Sequence, residues 1–342
     1  MSRYIINVSR SKAGIGDIKP KTDASKILGK SLKFKTIYIK EFKHPKLNRN
    51  LLVKFRISNA LKKLNLNSDD VVLVHYPLYT GAKFENALIS YLNKQNVTTI
   101  ALIHDLDSLR FDWSIFGSLK NEVSYLNEYD YVISHNIIMT NKLIENGLVT
   151  NVEELKLFDY LSPKNVNKNE SRFKYNITFA GNLNKAKFLK NLEIPSPLHF
   201  DLYGNIDDPD EINVSLDYHG SVSPEVLSAK TGFGYGLVWD GDNVDEVSGL
   251  MGNYLKFNNP YKISSYISSG MPVIVWEKSA LSSFVTTNNI GITIGSLDEL
   301  KNVLENVSDE KFDEMVKNVL AISDKIRSGF YLTNSIERII NK

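Results

Sequence analysis

Short apolar runs bounded by polar turns alternate along this chain with longer stretches whose apolar residues recur every three or four positions. "YIINV" near the N-terminus has the first pattern and predicts a strand. "LLVKFRISNALKKL" has the second, with Leu51, Leu52, Phe55, Ile57, Leu61 and Leu64 at helical spacing. "VVLVHY", "TTIALIH" and "YVISH" predict further strands, and "FENALISYL" and "IIMTNKLIENGL" the helices among them. Gly147 is placed to end the last of these, since glycine accepts the left-handed conformation common just past a helix. Strand and helix in alternation predict an α/β architecture with parallel sheets.

The pattern lapses at "LSPKNVNKNESRFKY", residues 161–175, which is polar and nearly free of aliphatic side chains. Such a segment predicts a linker or exposed loop. A second series then begins with "NITFAGNLNKAKFL" and "HFDLYG". "SPEVLSAK" predicts a helix with Ser223 as N-cap and Pro224 in its first position. "GFGYGLVWDG", "PVIVW" and "GITIG" predict strands, and "PYKISSYISSG", "SLDELKNVLENV" and "SDEKFDEMVKNVLAISDKI" predict helices, the last two opening with Ser followed by acids. The organisation expected is a domain over 1–160, a connecting segment over 161–175 and a second domain over 176–320. A C-terminal helix over 321–342 is expected to pack back on the first domain.

Length agrees with two domains, because 342 residues exceed what one core ordinarily serves. The net charge of +2 argues against an extended nucleic-acid surface. The sequence has no cysteine, which removes disulfides, thiolate metal sites and cysteine nucleophiles. Neither a signal-peptide core nor an apolar run of membrane-spanning length is present, and a cytoplasmic protein is the simplest expectation.

Open parallel sheets bind ligands beyond the carboxyl ends of their strands, so candidate chemistry is sought there. After the first strand, "SRSKAGIGD" supplies Gly14 and Gly16, without the third glycine of a dinucleotide fingerprint. These make either a flexible loop or one whose backbone approaches a ligand. His75, Tyr79 and Thr80 follow another strand as possible acceptor contacts. In "IHDLDSLR", His104 and Asp105 could take a proton from a hydroxyl; alternatively Asp105 caps a helix and His104 packs at the strand end. In "FAGNLNKAKFL", Lys185 precedes a predicted helix and would complete an anion site, unless the segment is an ordinary strand–turn–helix connection. Asp240 and Asp242 of "VWDGDN" imitate a metal-binding pair, although glycine–aspartate turns are common. Lys262 opens the helix of "NNPYKISSYISSG", where the helix dipole disfavours a cation unless an anion shares the site; otherwise it is a solvated surface lysine.

"FAGNLNKAKFL", "LYG", "YHGSVSPEVL", "GFGYGLVWDG", "NNPYKISSYISSGMPVIVW" and "NNIGITIGSLDEL" occur in one order, and together the sequence resembles a family of bacterial GT-B glycosyltransferases. These add glucose to a GlcNAc-modified serine-rich adhesin, and related sequences are labelled galactofuranosyltransferases. The likeness is strongest over about 176–300, with "GIGD" and "IHDLDSLR" matching in the N-terminal half. It implies a GT-B fold, two Rossmann-like domains facing across a cleft, with a UDP-sugar held by the second domain and the acceptor entering against the first. It also implies no bound metal or other cofactor, and a homo-tetramer. On this resemblance the basic residue after the first strand of the donor domain falls on Lys185 and the aromatic residue beside the uracil on Tyr218. The diphosphate segment falls on Asn259, Pro260, Tyr261, Lys262, Ser264 and Ser265, and Gly16 approaches the same phosphates.

The activity expected is transfer of a hexose, glucose first, from a UDP-sugar to a sugar hydroxyl of a glycan or glycoprotein, with Asp105 as the acceptor's base if the reaction inverts and His104 as the alternative. A galactofuranosyltransferase of polysaccharide synthesis and a non-catalytic nucleotide- or sugar-binding protein are the other readings. An NAD-dependent epimerase would need the missing fingerprint.

Overall fold

The computed structural model describes residues 1–9, 15–40, 50–162, 173–213, 215–223, 226–227, 230–231 and 234–341. The chain divides into two compact units, Met1–Lys156 with Tyr331–Lys342, and Leu157–Phe330.

Among the described residues, the first unit holds a six-stranded sheet of β1 (Arg3–Ser9), β2 (Lys35–Lys40), β3 (Val71–Tyr76), β4 (Thr98–Ile103), β5 (Tyr131–Ser134) and β6 (Asn151–Glu154). Their spatial order is β2-β1-β3-β4-β5-β6, and every neighbouring pair is parallel. Helices Ile15–Ser31, Asn50–Leu61, Ala82–Asn93, Leu119–Leu126 and Ile137–Glu145 lie in the connections between successive strands. The side chains of β3 are buried throughout. Covering a parallel sheet on both faces removes the alternation a half-solvated strand would show, which is why "VVLVHY" is apolar without alternation except at His75. β6 at the edge reads polar, and the C-terminal helix Phe330–Ile340 is pinned to it. Arg338 Nε donates to Glu153 Oε2 at 2.8 Å, and Ser335 Oγ donates to the Glu154 carbonyl at 3.1 Å.

Of the C-terminal segment over 321–342, residues up to Ser328 belong to the longer helix Asp309–Ser328, which counts with the second unit. Gly329, with φ near 80°, separates it from the last helix.

The second unit holds β7 (Asn176–Asn182), β8 (His199–Asn205), β9 (Asp217–Tyr218), β10 (Tyr235–Val238), β11 (Val273–Trp276) and β12 (Gly291–Ile294). The order is β12-β11-β10-β7-β8-β9, again parallel between all neighbours. From β7 the chain runs outward through β8 to β9, then returns to place β10 on the other side of β7. Direction thus reverses between β7 and β10, and in the first unit between β1 and β3. At such switch points adjacent connections leave in opposite directions and open a crevice.

Helix Tyr261–Ser268 lies on this sheet, and one glycine permits its approach. A Cβ on Gly236 of β10 would stand 2.2 Å from the Tyr266 ring. The Tyr266 hydroxyl in turn accepts the Ala180 amide of β7 at 2.8 Å, tying the helix to both strands at the switch point. No helix among the described residues is long and apolar enough to cross a membrane.

Candidate active site

In the second unit, Lys262 stands in the first turn of helix Tyr261–Ser268. Pro260 occupies the N-cap rather than the first turn, and carries no N–H that the helix would leave unpaired. Lys262 Nζ donates to Asp240 Oδ1 at 2.9 Å, reaches the Trp239 carbonyl at 3.4 Å, and lies 4.6 Å from the centre of the Phe179 ring. It is therefore not a solvated surface lysine, and its ammonium is already paired with a carboxylate. A carboxylate just beyond β10 offsets the unfavourable dipole, with the two side chains 19% and 31% exposed. Asp240 Oδ1 is engaged by this lysine, and Gly241, at φ near 116°, makes the turn that "DGD" suggested.

Asn259, Ser264 and Ser265 are buried, and the half-buried Tyr261 packs against Phe158 and Tyr160 with ring centres 5.8 and 5.1 Å away. Ser264 Oγ and Asn258 Oδ1 are buried with no hydrogen-bond partner among the described residues. Native interiors rarely leave such groups unpaired, so the helix start carries unused polar capacity.

Lys185 is placed differently from expectation. Residues 183–190 form two short 3-10 turns, Leu183–Lys185 and Lys187–Lys190, in place of a regular helix. Asn182 Oδ1 accepts the Asn184 amide and closes the first turn, leaving Lys185 exposed at its C-terminal end. The dipole argument for an anion at that helix start therefore falls. Tyr218 lies on β9, two strands from β7, or roughly 10 Å along the pairing direction. Its hydroxyl donates to the Gly204 carbonyl at 3.0 Å.

In the first unit the carboxyl ends of β3, β4 and β5 deliver three histidines, His75, His104 and His135. His75 Nδ1 and His104 Nε2 share a hydrogen bond at 2.9 Å, and Ser25 Oγ is 3.2 Å from His75 Nε2. Burial, with Lys21 nearby, lowers His75 to about 3. Burial, then His75, Lys21 and His135, holds His104 well below its ordinary value. Burial also lowers His135, to about 4. All three are neutral near pH 7, so the pair is a chain of one donor and one acceptor.

Asp105 does not cap the helix that follows. That helix is Asp107–Arg110 with Leu106 at its N-cap, and Asp105 turns instead to Arg110, 2.5 Å away, and to the Tyr79 hydroxyl at 3.2 Å. Tyr79 thus joins Asp105, while Thr80 Oγ1 is buried without a partner among the described residues. Gly14 lies outside the described residues. Gly16 falls in the first turn of helix Ile15–Ser31, so the helix begins inside the segment read as a loop.

Two buried glutamates support these loops. Glu85 Oε1 accepts the Leu78 amide at 2.8 Å, at the start of the loop bearing Tyr79. Glu122 accepts the Asp107 and Ser108 amides at 3.3 and 3.0 Å, the Tyr76 hydroxyl at 2.6 Å, and the Ser108 hydroxyl. It satisfies the open N–H groups of the short helix carrying Arg110. Burial pushes both carboxyls up to about 7, against the lowering effect of these donors. Sequence reasoning missed Glu85, Glu122, His135 and Ser25; Glu85 and His135 lie in "FENALISYL" and "YVISH", read only as a helix and a strand. Arg110 does stand inside the quoted "IHDLDSLR", five positions after Asp105.

The Glucosyltransferase 3-like N-terminal domain matches residues 2–157, and the C-terminal domain of that family matches 177–339. Among curated relatives, beta-1,6-galactofuranosyltransferase WbbI of Escherichia coli (strain K12) is 33% identical over 81% of each chain. Glucosyltransferase 3 of Streptococcus gordonii is 29% identical over 77% of this chain and 76% of that one. Among solved structures, one described as "Trehalose-6-phosphate from E. coli bound with UDP-2-fluoro glucose" has a TM-score of 0.64 at 11% identity, covering 100% of this chain and 99% of the other. An alpha-glucosyltransferase in complex with UDP-glucose and abasic DNA has a TM-score of 0.62 at 12% identity, covering 99% of both. At these identities the structural likeness shows the fold alone, which is GT-B.

Proposed function

The chain belongs to the Glucosyltransferase 3-like family of glycosyltransferases, and from that premise we propose that it moves a hexose from a UDP-sugar to a sugar hydroxyl of a glycan or glycoprotein. The observation that carries the donor half is the start of helix Tyr261–Ser268 at the β7/β10 switch point, where Lys262 stands in the first turn at the positive end of the helix dipole. A diphosphate leaving group develops charge as the anomeric C–O bond breaks, and preorganised donors of this kind stabilise it. No metal is needed in this reading, because Lys262 and the helix amides supply the positive end.

On the acceptor side, the hydroxyl oxygen forms the new bond to the anomeric carbon and gives up its proton. Asp105 receives that proton if the reaction inverts, with His104 as the alternative base. Tyr79 and Arg110 hold the Asp105 carboxylate in place. Glucose is the proposed sugar. Galactofuranose is the second reading, favoured by the 33% identity to the galactofuranosyltransferase. Assembly as a homo-tetramer rests on the family resemblance, and light scattering of the purified protein tests it.

UDP release is the decisive assay, measured against UDP-glucose, UDP-galactose and UDP-galactofuranose with and without a GlcNAc-terminated acceptor. Acceptor-dependent UDP release from one donor supports transfer and names the sugar. If UDP raises the melting temperature while no donor is consumed, the protein is a binder and the transferase reading is wrong.

A further inference from the structure

In the first unit, helix Asn50–Leu61 buries Val53, Ile57 and Leu61, which recur every four residues and form its inner side. Its outer side carries two apolar residues in water. Leu52 and Phe55, three positions apart and so neighbours on the helix surface, are 41% and 68% exposed, and no other phenylalanine among the described residues is as exposed as Phe55. The charges around them have one sign. Lys54 and Arg56 on the helix, and Lys62 and Lys63 in the 3-10 turn Lys62–Leu64 that continues it, are all exposed. Among the described residues, Lys54, Lys62 and Lys63 take part in no ion pair. Helix Ala82–Asn93 packs beside this helix; its exposed charge is Lys83, and its carboxylate, Glu85, is buried on the Leu78 amide. The first acids after the turn, Asp69 and Asp70, stand beyond it at the entry to β3, the second buried on the Ser2 amide. From Phe42 to Ser68 the sequence carries seven Lys or Arg and no Asp or Glu, in a chain whose totals of 41 and 39 nearly cancel. A nearly neutral chain thus gathers cations around an exposed aromatic and aliphatic pair.

We infer that this face docks the protein on a membrane surface rich in anionic phospholipid, with Phe55 and Leu52 entering among the headgroups and Lys54, Lys62 and Lys63 meeting the phosphates. The inference goes beyond the transferase reading and does not depend on it. A helix with apolar tips ringed by lysines lies along the water–lipid boundary, where the apolar atoms leave water while the ammoniums stay with the headgroups. The helix does not need to span anything for this. A second copy docked on the same face by a two-fold axis would set these cations against one another. A nucleic acid would pair with the lysines but leave Leu52, which has no flat face for a base, in water. An acidic protein surface would meet the lysines by charge and leave both apolar tips without a partner. Anionic lipid offers both an anionic layer and an apolar layer just beneath it.

Flotation of the full-length protein with vesicles tests this, using phosphatidylcholine mixed with phosphatidylglycerol, and phosphatidylcholine alone. The protein should float with the first and not the second, and less as salt is raised. Lys62→Gln combined with Lys63→Gln should weaken partitioning roughly 25-fold, about fivefold for each lysine near an anionic surface. Phe55→Ala should weaken it about tenfold, the low end of the range for burying an aromatic side chain. Lys311→Gln combined with Lys317→Gln, two exposed lysines of helix Asp309–Ser328 in the second unit, makes the same charge change and should leave partitioning unaltered. Phe55→Trp should gain emission that lipid brominated on its acyl chains quenches. The substituted side chains are all exposed, so each variant should keep the wild-type melting temperature. The inference is overturned if anionic vesicles do not carry the protein, if the control pair weakens partitioning as much as the Lys62 and Lys63 pair, or if Phe55→Trp adds no quenchable emission. Binding of polyuridylate or polyglutamate as tight as that of anionic vesicles, and unchanged in Phe55→Ala, would make the face a general polyanion surface and overturn the lipid assignment. Flotation needs no sugar donor, so a protein that floats but releases no UDP would sink the transferase reading alone.

Discussion

Replacing Lys262 by alanine separates the two roles its position suggests. The ammonium is held by Asp240 at 2.9 Å and by the Trp239 carbonyl at 3.4 Å. A diphosphate must therefore compete with a carboxylate already in place. A hydrogen bond to a charged group contributes about 1.5–3 kcal/mol. A partly exposed ion pair costs roughly 0.2–1 kcal/mol to give up, so the net contribution of Lys262 to UDP binding is about 0.5–2.8 kcal/mol. At about 1.4 kcal/mol per decade this is a loss of roughly 2- to 100-fold in affinity. Uridine, which lacks phosphate, should lose little. Asp240→Asn removes the competitor and should leave UDP binding equal or tighter, by up to about fivefold, corresponding to the upper end of the pair's strength. Asp240 is 31% exposed, so in Lys262→Ala it can rehydrate, and the fold should survive. Calorimetric titration of wild type, both single variants and the double variant with UDP and uridine measures all four terms. Equal losses for UDP and uridine in Lys262→Ala, or weaker UDP binding in Asp240→Asn, would refute a phosphate role and leave Lys262 as a structural partner of Asp240.

Asp105→Asn should lower turnover by roughly 10²- to 10⁴-fold, the range for a lost general base, with the UDP dissociation constant unchanged in the same calorimetric assay. Near-normal turnover would pass the role to His104. Burial pushes Glu122 up to about 7, so the folded state binds its proton more tightly than the unfolded chain. Its contribution to stability is full below the ordinary carboxylate pKa and is lost as pH rises through about 7. Glu122→Gln removes that loss. The melting-temperature difference, variant minus wild type, should therefore shift in the variant's favour between about pH 5 and about pH 8. A difference that stays constant would mean that the donors from Tyr76, Asp107 and Ser108 keep the carboxylate ionised throughout. Turnover should be insensitive to EDTA; activity abolished by chelation and restored by manganese would return Asp240 and Asp242 to a metal role.

The strands at the centre of each sheet were legible because their burial is written in composition. "VVLVHY" and "PVIVW" are covered on both faces, so apolar residues run without alternation. The edge strands β6 and β9 carry polar residues over four and two positions, and nothing local distinguishes them from loops. Helix Ile15–Ser31 was hidden by Pro20 and by a run of lysines and polar residues that blurs its apolar face. Candidate residues after strands were also legible, because a parallel sheet sends its carboxyl ends to one side whatever its strand order. Which of those residues meet was not legible. Lys262 finds Asp240, 22 positions earlier, only because β10 returns beside β7 and the helix crosses both. His75 meets His104 across 29 positions because β3 and β4 are neighbours. Glu122 reaches the helix bearing Arg110 from an amphipathic helix that reads as ordinary. Periodicity reflects how the backbone turns from one residue to the next and which side meets water. Partnership between distant side chains depends on strand order and crossing helices, which are set by the packing of the whole sheet and have no local trace.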